Sequence, residues 1–381
     1  MNPLVEDTGS PPIPAVQGWG RGYQGGRGPL IDLCQAVPGY PPHPELLARL
    51  GQAAANPLYA KYGFIPGDTA LREAYAAEID VAPARVVITA GCNQAFFAAM
   101  LTLVPRGAAV LLPVPWYYNH KMTCDMLGLE ARPLPTEAAN GFIPDPEIAA
   151  GLMDGVAAIV LVTPNNPTGA IYPAATVKAF AALCQKHGAV LLLDETYRDF
   201  LPDGPFEAPP ENAIRLYSFS KAYAVPGHRI GALTLPEALV PQIAKVLDCM
   251  HICPQRPAQV ALAWAIDGLR DWREANRREM ASRVAGARQA FGANPAWRIE
   301  SLGAYFAYIR HPYPGISAWD VTEHLAREHG VLLLPAPAFG GSADHLRVSL
   351  ANVDAAGIER LVARLADVTH PQSQGASCSA Q

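Results

Sequence analysis

A lysine, an aspartate and an arginine in this 381-residue chain stand where their neighbours give the charge a task. The chain has only six lysines (Lys61, Lys121, Lys178, Lys186, Lys221 and Lys245), and Lys221 alone follows an apolar strand pattern. Burial disfavours the ammonium form, so such a lysine can hold a neutral amine able to form a Schiff base with an aldehyde. Asp194 ends the run Ala189-Val-Leu-Leu-Leu-Asp194, and a carboxylate after five apolar residues is costly unless it has a partner. In His345-Leu-Arg-Val-Ser-Leu350 alternation puts Leu346, Val348 and Leu350 on one face and Arg347 on the other. A guanidinium there can read a carboxylate through two parallel hydrogen bonds. Gly91-Cys92-Asn93 falls at a strand-to-helix junction, where the amides of Cys92 and Asn93 can point at an anion. Asn93 also reads as an N-cap.

Other motifs point elsewhere and carry less. Ser218-Phe-Ser-Lys221 contains the S-x-x-K of serine acyl hydrolases, and Tyr117-Tyr-Asn119 supplies a Y-x-N. That chemistry also needs a K-T-G-like strand late in the chain, and none is present. Gly20-x-Gly22-x-x-Gly25 matches a dinucleotide fingerprint as a string, but its flanks read as neither strand nor helix. Seven scattered cysteines show no paired spacing, and Cys249, His251 and Cys253 cannot share one helix face, so no metal site is expected.

The elements that must position these residues are legible as a pattern. Apolar runs at 85–89, 108–113, 157–164, 189–194, 214–218 and 229–235 alternate with helical periodicity near 93–104, 119–128, 173–187 and 237–250. Continuous apolarity means strands covered on both faces, and the alternation means βαβ units. The chain reads as α/β: a three-layer α/β/α large domain with a mainly parallel sheet over 45–270, and a smaller α+β domain over 271–368 that opens on a charged helix at 271–291. Residues 1–44 read as an N-terminal arm, loop-like to residue 28, and part of the small domain; 369–381 read as a disordered tail.

Composition closes off other classes. Half the residues are hydrophobic and 17% charged, with a net charge of −5 and no basic block, so no nucleic-acid partner is expected. No apolar run approaches the roughly 18 residues of a membrane span, and the start MNPLVEDTGSPPIP lacks a signal-peptide pattern. The expectation is a cytoplasmic protein with no membrane partner.

Five separated segments then fit one chemistry: TAGCNQA (89–95), PVPWYYNH (113–120), TPNNPTG (163–169), LLLDETYRDF (191–200) and LYSFSKAYAVPGHRIG (216–231). In order and spacing they resemble a fold-type I pyridoxal-phosphate enzyme of the class I and II aminotransferase family. The resemblance runs from IDLCQAVPGYPP to LRVSLANVD and implies the cofactor pyridoxal 5′-phosphate, with Lys221 as its anchor and as general base and acid. It further implies that Asp194 meets the pyridine nitrogen, that Tyr197 and Asn166 meet the phenolic oxygen, and that the Tyr117 ring stacks on the pyridine, with Trp116 as a substitute. Cys92, Asn93, Ser218, Ser220 and Arg229 would hold the phosphate. Arg347 would bind the substrate carboxylate, with Asn166 and Ala36 beside the substrate. Tyr62, in register with Gly67, Leu71 and Arg72, would reach the phosphate from the neighbouring subunit of a homodimer with composite sites.

Some departures bear on the substrate. Ala36 stands where many members have glycine, and Cys92-Asn93 replaces smaller residues. The stretch VLDCMHICPQRP holds no match for a second, side-chain-binding arginine, since Arg256 is displaced toward the next helix. Trp19, Tyr23 and Trp116 hint at an aromatic or bulky substrate. The reading is an aminotransferase moving an amino group between an L-amino acid and a 2-oxo acid. A C–S β-lyase on the same fold is the alternative.

Overall fold

The computed structural model describes residues 1–202 and 209–368; the tail reading at 369–381 lies outside the described residues. The N-terminal segment holds helices α1 (Pro3–Glu6) and α2 (Pro12–Gly20) and a two-residue strand β1 (Ile31–Asp32). Helices α3 (Pro44–Ala55) and α4 (Thr69–Glu78) lead to β2 (Val86–Thr89), α5 (Cys92–Leu103), β3 (Ala109–Val114), α6 (Tyr118–Leu127) and β4 (Glu130–Pro135). Then come α7 (Pro146–Ala150), β5 (Val156–Val162), α8 (Ala174–His187), β6 (Val190–Asp194), β7 (Ile214–Ser218), α9 (Phe219–Ala222) and β8 (Gly231–Thr234). Helices α10 (Val240–His251), α11 (Arg256–Gly268) and the 23-residue α12 (Arg270–Gly292) follow. The chain continues through β9 (Arg298–Gly303), β10 (Phe306–Arg310), α13 (Ala318–Glu328), β11 (Val331–Leu332), β12 (Leu334–Pro335), β13 (His345–Ser349) and α14 (Ala355–Ala366).

Seven strands form one sheet in the order β2-β8-β7-β6-β5-β3-β4, parallel throughout except for β8, which runs against both of its neighbours. Successive residues of a strand feed opposite cores. Leu192 joins Phe96, Met100 and Leu247 of α5 and α10 on one face, while Leu191 and Leu193 join Val177 and Phe180 of α8 on the other. Burial on both faces is why these strands read as unbroken apolar runs. A second sheet, β12-β13-β10-β9, is antiparallel and packs on α12, α13 and α14. Strand β1 pairs with β11 and ties the chain's beginning to this C-terminal part.

Two sequence readings need correction. Residues 1–28 are not all loop: proline lacks the N–H that a helix's first turn leaves unbonded anyway, so Pro3 and Pro12 begin helices here. Val16 of α2 is fully buried and Trp19 meets Trp319 of α13 edge-on, which holds the N-terminal segment down. The strand β4 also lacked an apolar signature. It lies at the sheet's edge, where Pro133 and Pro135 are tolerated.

One glycine joins the two sheets' regions. Gly169 ends the loop after β5 with φ +76°, and a Cβ there would lie 2.6–2.7 Å from Gly303 N and O and Phe306 O. The loop thus packs backbone to backbone on the turn between β9 and β10. Gly141 has a similar left-handed backbone, φ +66°, but a Cβ added there would meet nothing within 4 Å. Gly141→Ala is expected to cost only the backbone term, about 1 kcal/mol, whereas Gly169→Ala adds an overlap that cannot relax and should cost about 3 kcal/mol. Thermal denaturation of the two variants checks this; equal losses would mean that the Gly169 contact contributes nothing.

Candidate active site

The five motif segments reach one place because parallel strands deliver them to one edge of the sheet. Gly91 follows β2, Tyr117 follows β3, Asn166 follows β5, Asp194 ends β6 and Ser218 ends β7. The carboxyl ends of such strands form a crevice, and here it opens into a cavity of about 620 Å³. Twelve of the sequence-derived candidates line it: Lys221, Asp194, Tyr197, Asn166, Tyr117, Cys92, Asn93, Ser218, Ser220, Arg229, Arg347 and Ala36.

Lys221 sits on the one-turn helix α9 that follows β7, and its Nζ donates to the carbonyl of Ala36. Its pKa is lowered to about 8, first by burial and then by the charges of Arg347 and Arg229. Ser218 caps α9 by accepting from Ser220 N at 3.3 Å. Hydroxyl and amine are therefore committed to separate partners, unlike the paired serine and lysine of an acyl hydrolase.

Asp194 is 4% exposed. Burial pushes its pKa up, but hydrogen bonds from His120 and Thr196 outweigh it and hold the carboxyl below its ordinary value. Thr196 N donates to Oδ1 at 2.9 Å and His120 Nε2 lies 3.3 Å from Oδ2. The phenols of Tyr117 and Tyr197 are pushed up by burial, so both keep their protons at neutral pH and can donate.

Arg347 lies on β13, an inner strand opposite Tyr308 of β10, so it is no edge-strand residue facing water. It is 2% exposed. Nη1 donates to Asn166 Oδ1 at 3.0 Å, Nη2 donates to the Cys34 carbonyl, and Nε has no partner. Among the described residues no carboxylate pairs with this guanidinium, a costly state for a buried cation. A guanidinium in this state could receive an anion.

A second anion cradle lies at the other end. Gly91 takes φ +87° ahead of α5, leaving the amides of Cys92 and Asn93 in the first helical turn without intrahelical acceptors. Asn93 is thus not the N-cap the sequence indicated, since Gly91 occupies that position. The Ser220 hydroxyl is buried with no partner. Arg229 takes a left-handed backbone, φ +51°, rare for a side-chain-bearing residue, and its guanidinium lies against Gly91 where a Cβ would stand.

Some residues fall elsewhere. Tyr62 is 76% exposed and outside the cavity. Trp19 packs on Trp319, Tyr23 against Gly330 and Trp116 against Gly340, so none of the three supplies the aromatic wall inferred from sequence. Arg256 is held by Asp68 at 3.2 Å and by the Leu58 and Lys61 carbonyls. His120, Thr196, Tyr118 and Ile13 join the site without having been singled out. For His120 a signal existed: it follows Tyr117 by three residues, one helical turn.

Comparison with known proteins gives the family and the fold. Residues 28–365 match the profile of the family described as aminotransferase class I and II. The arginine–pyruvate transaminase of Pseudomonas aeruginosa is 31% identical over 324 residues, spanning 80% of this chain and 82% of its own. An aromatic aminotransferase of Arabidopsis thaliana is 26% identical, spanning 88% of each chain. A double mutant of Thermus thermophilus aspartate aminotransferase superposes with a TM-score of 0.88 over 96% of this chain and 98% of its own, at 25% identity.

The Lys221 environment predicts a pH profile. In the ligand-free protein its amine is protonated below pH 8 and neutral above, so capture by an amine-reactive reagent should rise with pH and level off above about 8. Replacing Arg347 by Gln removes a cation that disfavours the ammonium and should move the midpoint upward. Peptide mapping of the labelled Lys221 against pH checks both; a midpoint near an ordinary lysine's would contradict them.

Proposed function

The chain belongs to the aminotransferase class I and II family and is a pyridoxal-phosphate-dependent aminotransferase, and we propose that its cavity serves an L-amino acid with an uncharged side chain and its 2-oxo acid partner. The buried, carboxylate-free guanidinium of Arg347 carries this reading, because an amino acid and a 2-oxo acid share the α-carboxylate it would bind. The residues fit the cofactor. The two free amides, the unpartnered Ser220 hydroxyl, Ser218 and Arg229 suit its phosphate, and Asp194 suits its ring nitrogen. When bound, pyridoxal phosphate supplies an electron sink for the substrate's Cα and a carrier for the amino group.

Each side chain then has a task. The Asp194 carboxylate holds a proton at the pyridine nitrogen. The protonated phenol of Tyr197 and the amide of Asn166 hold the phenolic oxygen, and Tyr117 covers the ring face. Lys221, whose pKa near 8 keeps a usable share of neutral amine, takes the proton from Cα and returns it at C4′. Arg347 and Asn166 orient the substrate with Ala36 beside it.

The charged residues lining the cavity are Lys221, Asp194, Arg229 and Arg347, and each is committed. The rest of the wall includes Ile13, Val37, Tyr118 and Asn119, which are uncharged. Arg256, bound to Asp68, is unavailable for a side-chain carboxylate. The substrate side chain in this proposal is therefore neutral, apolar or aromatic.

The proposal includes a homodimer. Leu58, Tyr62, Phe64, Met250 and Ile252 are exposed apolar side chains on segments 57–64 and 250–256, which adjoin through Gly63 N donating to Cys253 Sγ. A second copy covering this face would bring Tyr62 to the neighbouring phosphate cradle. No helix among the described residues is long and apolar enough to cross a membrane. The free thiols of Cys34, Cys92, Cys124 and Cys184 support a reducing compartment, which we take to be the cytoplasm.

Two measurements test this reading. An accepted amino acid, supplied without any 2-oxo acid, should convert the cofactor stoichiometrically to its amine form and stop. In a panel scored by cofactor absorbance, uncharged amino acids should react and aspartate should lag by at least about ten-fold. Steady release of ammonia and pyruvate from a β-substituted amino acid, without amine-form cofactor, would favour the lyase instead. Second, inactive Tyr62→Ala and Lys221→Ala chains should regain activity on subunit exchange, because one site of the hybrid is intact at both positions. Exchange without recovery would place Tyr62 in its own subunit's site or in none.

A further inference from the structure

Helix α5 reaches the site with more than its first amides. Cys92 and Phe96 are four residues apart and so share a helix face. The Cys92 thiol donates to Asp194 Oδ2 at 3.8 Å. The Phe96 ring, 1% exposed, stacks on the His120 imidazole with centroids 3.9 Å apart and planes 26° from parallel. His120 Nε2 in turn lies 3.3 Å from the same Oδ2, and Tyr117 meets the imidazole edge-on at 5.2 Å. The imidazole is thus clamped between two aromatic rings with one nitrogen on the carboxylate. Oδ1 is taken independently by Thr196 N. The other titratable groups facing this carboxylate and its donors are the Tyr117 and Tyr197 phenols, the Arg229 guanidinium and the Lys221 amine.

We propose that Phe96 and Cys92 are positioning residues that hold the imidazole and a thiol hydrogen against Asp194 Oδ2, keeping the carboxylate a weak enough base to leave its shared proton on the cofactor's ring nitrogen. Each donor to a carboxylate lowers its affinity for a proton. With a donor lost or a ring free to swing, the proton moves toward Asp194 and the ring loses positive charge. The inference rests on Asp194 being the partner of the ring nitrogen.

The test uses the holoenzyme and reads the pH midpoint of the cofactor's visible absorbance, together with the rate of the amino-acid half-reaction. Phe96→Leu should move the midpoint upward, since less positive charge stays on the ring, and slow the half-reaction about ten-fold. The half-saturating amino-acid concentration should stay within about two-fold, because Arg347 is untouched. Cys92→Ala should act in the same direction but by about three-fold, as suits a weak thiol donor. Phe96→Tyr restores the stacked ring and should return the midpoint toward its original value. Unmoved midpoints and rates in both Phe96→Leu and Cys92→Ala, with a shifted midpoint in Asp194→Ala, overturn the proposal. An unmoved midpoint in Asp194→Ala instead removes the assignment of Asp194 itself. Should Phe96→Leu fail to fold, Cys92→Ala decides alone.

Discussion

A fully buried guanidinium without a carboxylate is an expensive thing to fold around, and the arrangement of the molecule follows from how Arg347 is tolerated. Two of its donors meet neutral oxygens from two other regions: Asn166 Oδ1 after β5 of the large sheet, and the Cys34 carbonyl of the segment following β1. Phe306 and Phe339 lie over its flat faces, with centroids 5.0 and 5.2 Å from the guanidinium carbon. The cation is thus held by polar groups that solvate it without neutralising it. It keeps its charge for a ligand, and the three regions of chain must meet for it to be solvated at all.

The same logic orders the charges along the cavity. Arg347 and Arg229 both act on Lys221 and lower its pKa, so the two guanidinia that could hold anions also favour a neutral amine. Asp194 sits on the side where no arginine pairs with it and is stabilised by hydrogen bonds from His120 and Thr196. A carboxylate held by an imidazole and a backbone amide remains free to answer a cation from a ligand, whereas one locked to an arginine would not. The neighbouring Glu195 shows the contrast: it is paired with Arg215 at 2.7 Å and faces away from the chemistry.

Much of this was legible in the chain, because buried parallel strands announce themselves as apolar runs and their carboxyl ends carry the candidate site residues. Asp194 at the end of AVLLLD and Lys221 after IRLYS could be placed for that reason. What stayed hidden has physical causes. Helix α2 was masked by Pro11, Pro12 and Pro14, which read as breakers although they occupy the one stretch of a helix that accepts them. His120 was masked by a polar segment, since its importance lies in what Phe96 and Asp194 do to it from other elements. The aromatic residues Trp19 and Trp116 misled because a large ring is as apt to glue helices and loops together as to line a pocket. Tyr62 shows its apolar ring to solvent in the single chain, and a sequence motif can indicate a neighbour's site only by resemblance.

The backbone contact of Gly169 with Gly303 has a consequence for anyone recombining this protein with its relatives. Substrate choice in such a fold invites the exchange of whole segments between homologues, with crossover points placed where domains meet. Here a crossover between residues 169 and 303 would pair one parent's loop with another parent's turn. Any parent carrying a side chain on either partner would wedge the two apart and carry Asn166 away from Arg347, which sit 3.0 Å from each other on the two sides of that junction. The loop at 163–169 and the turn at 303–306 are therefore a single heritable unit, although more than 130 residues separate them along the chain.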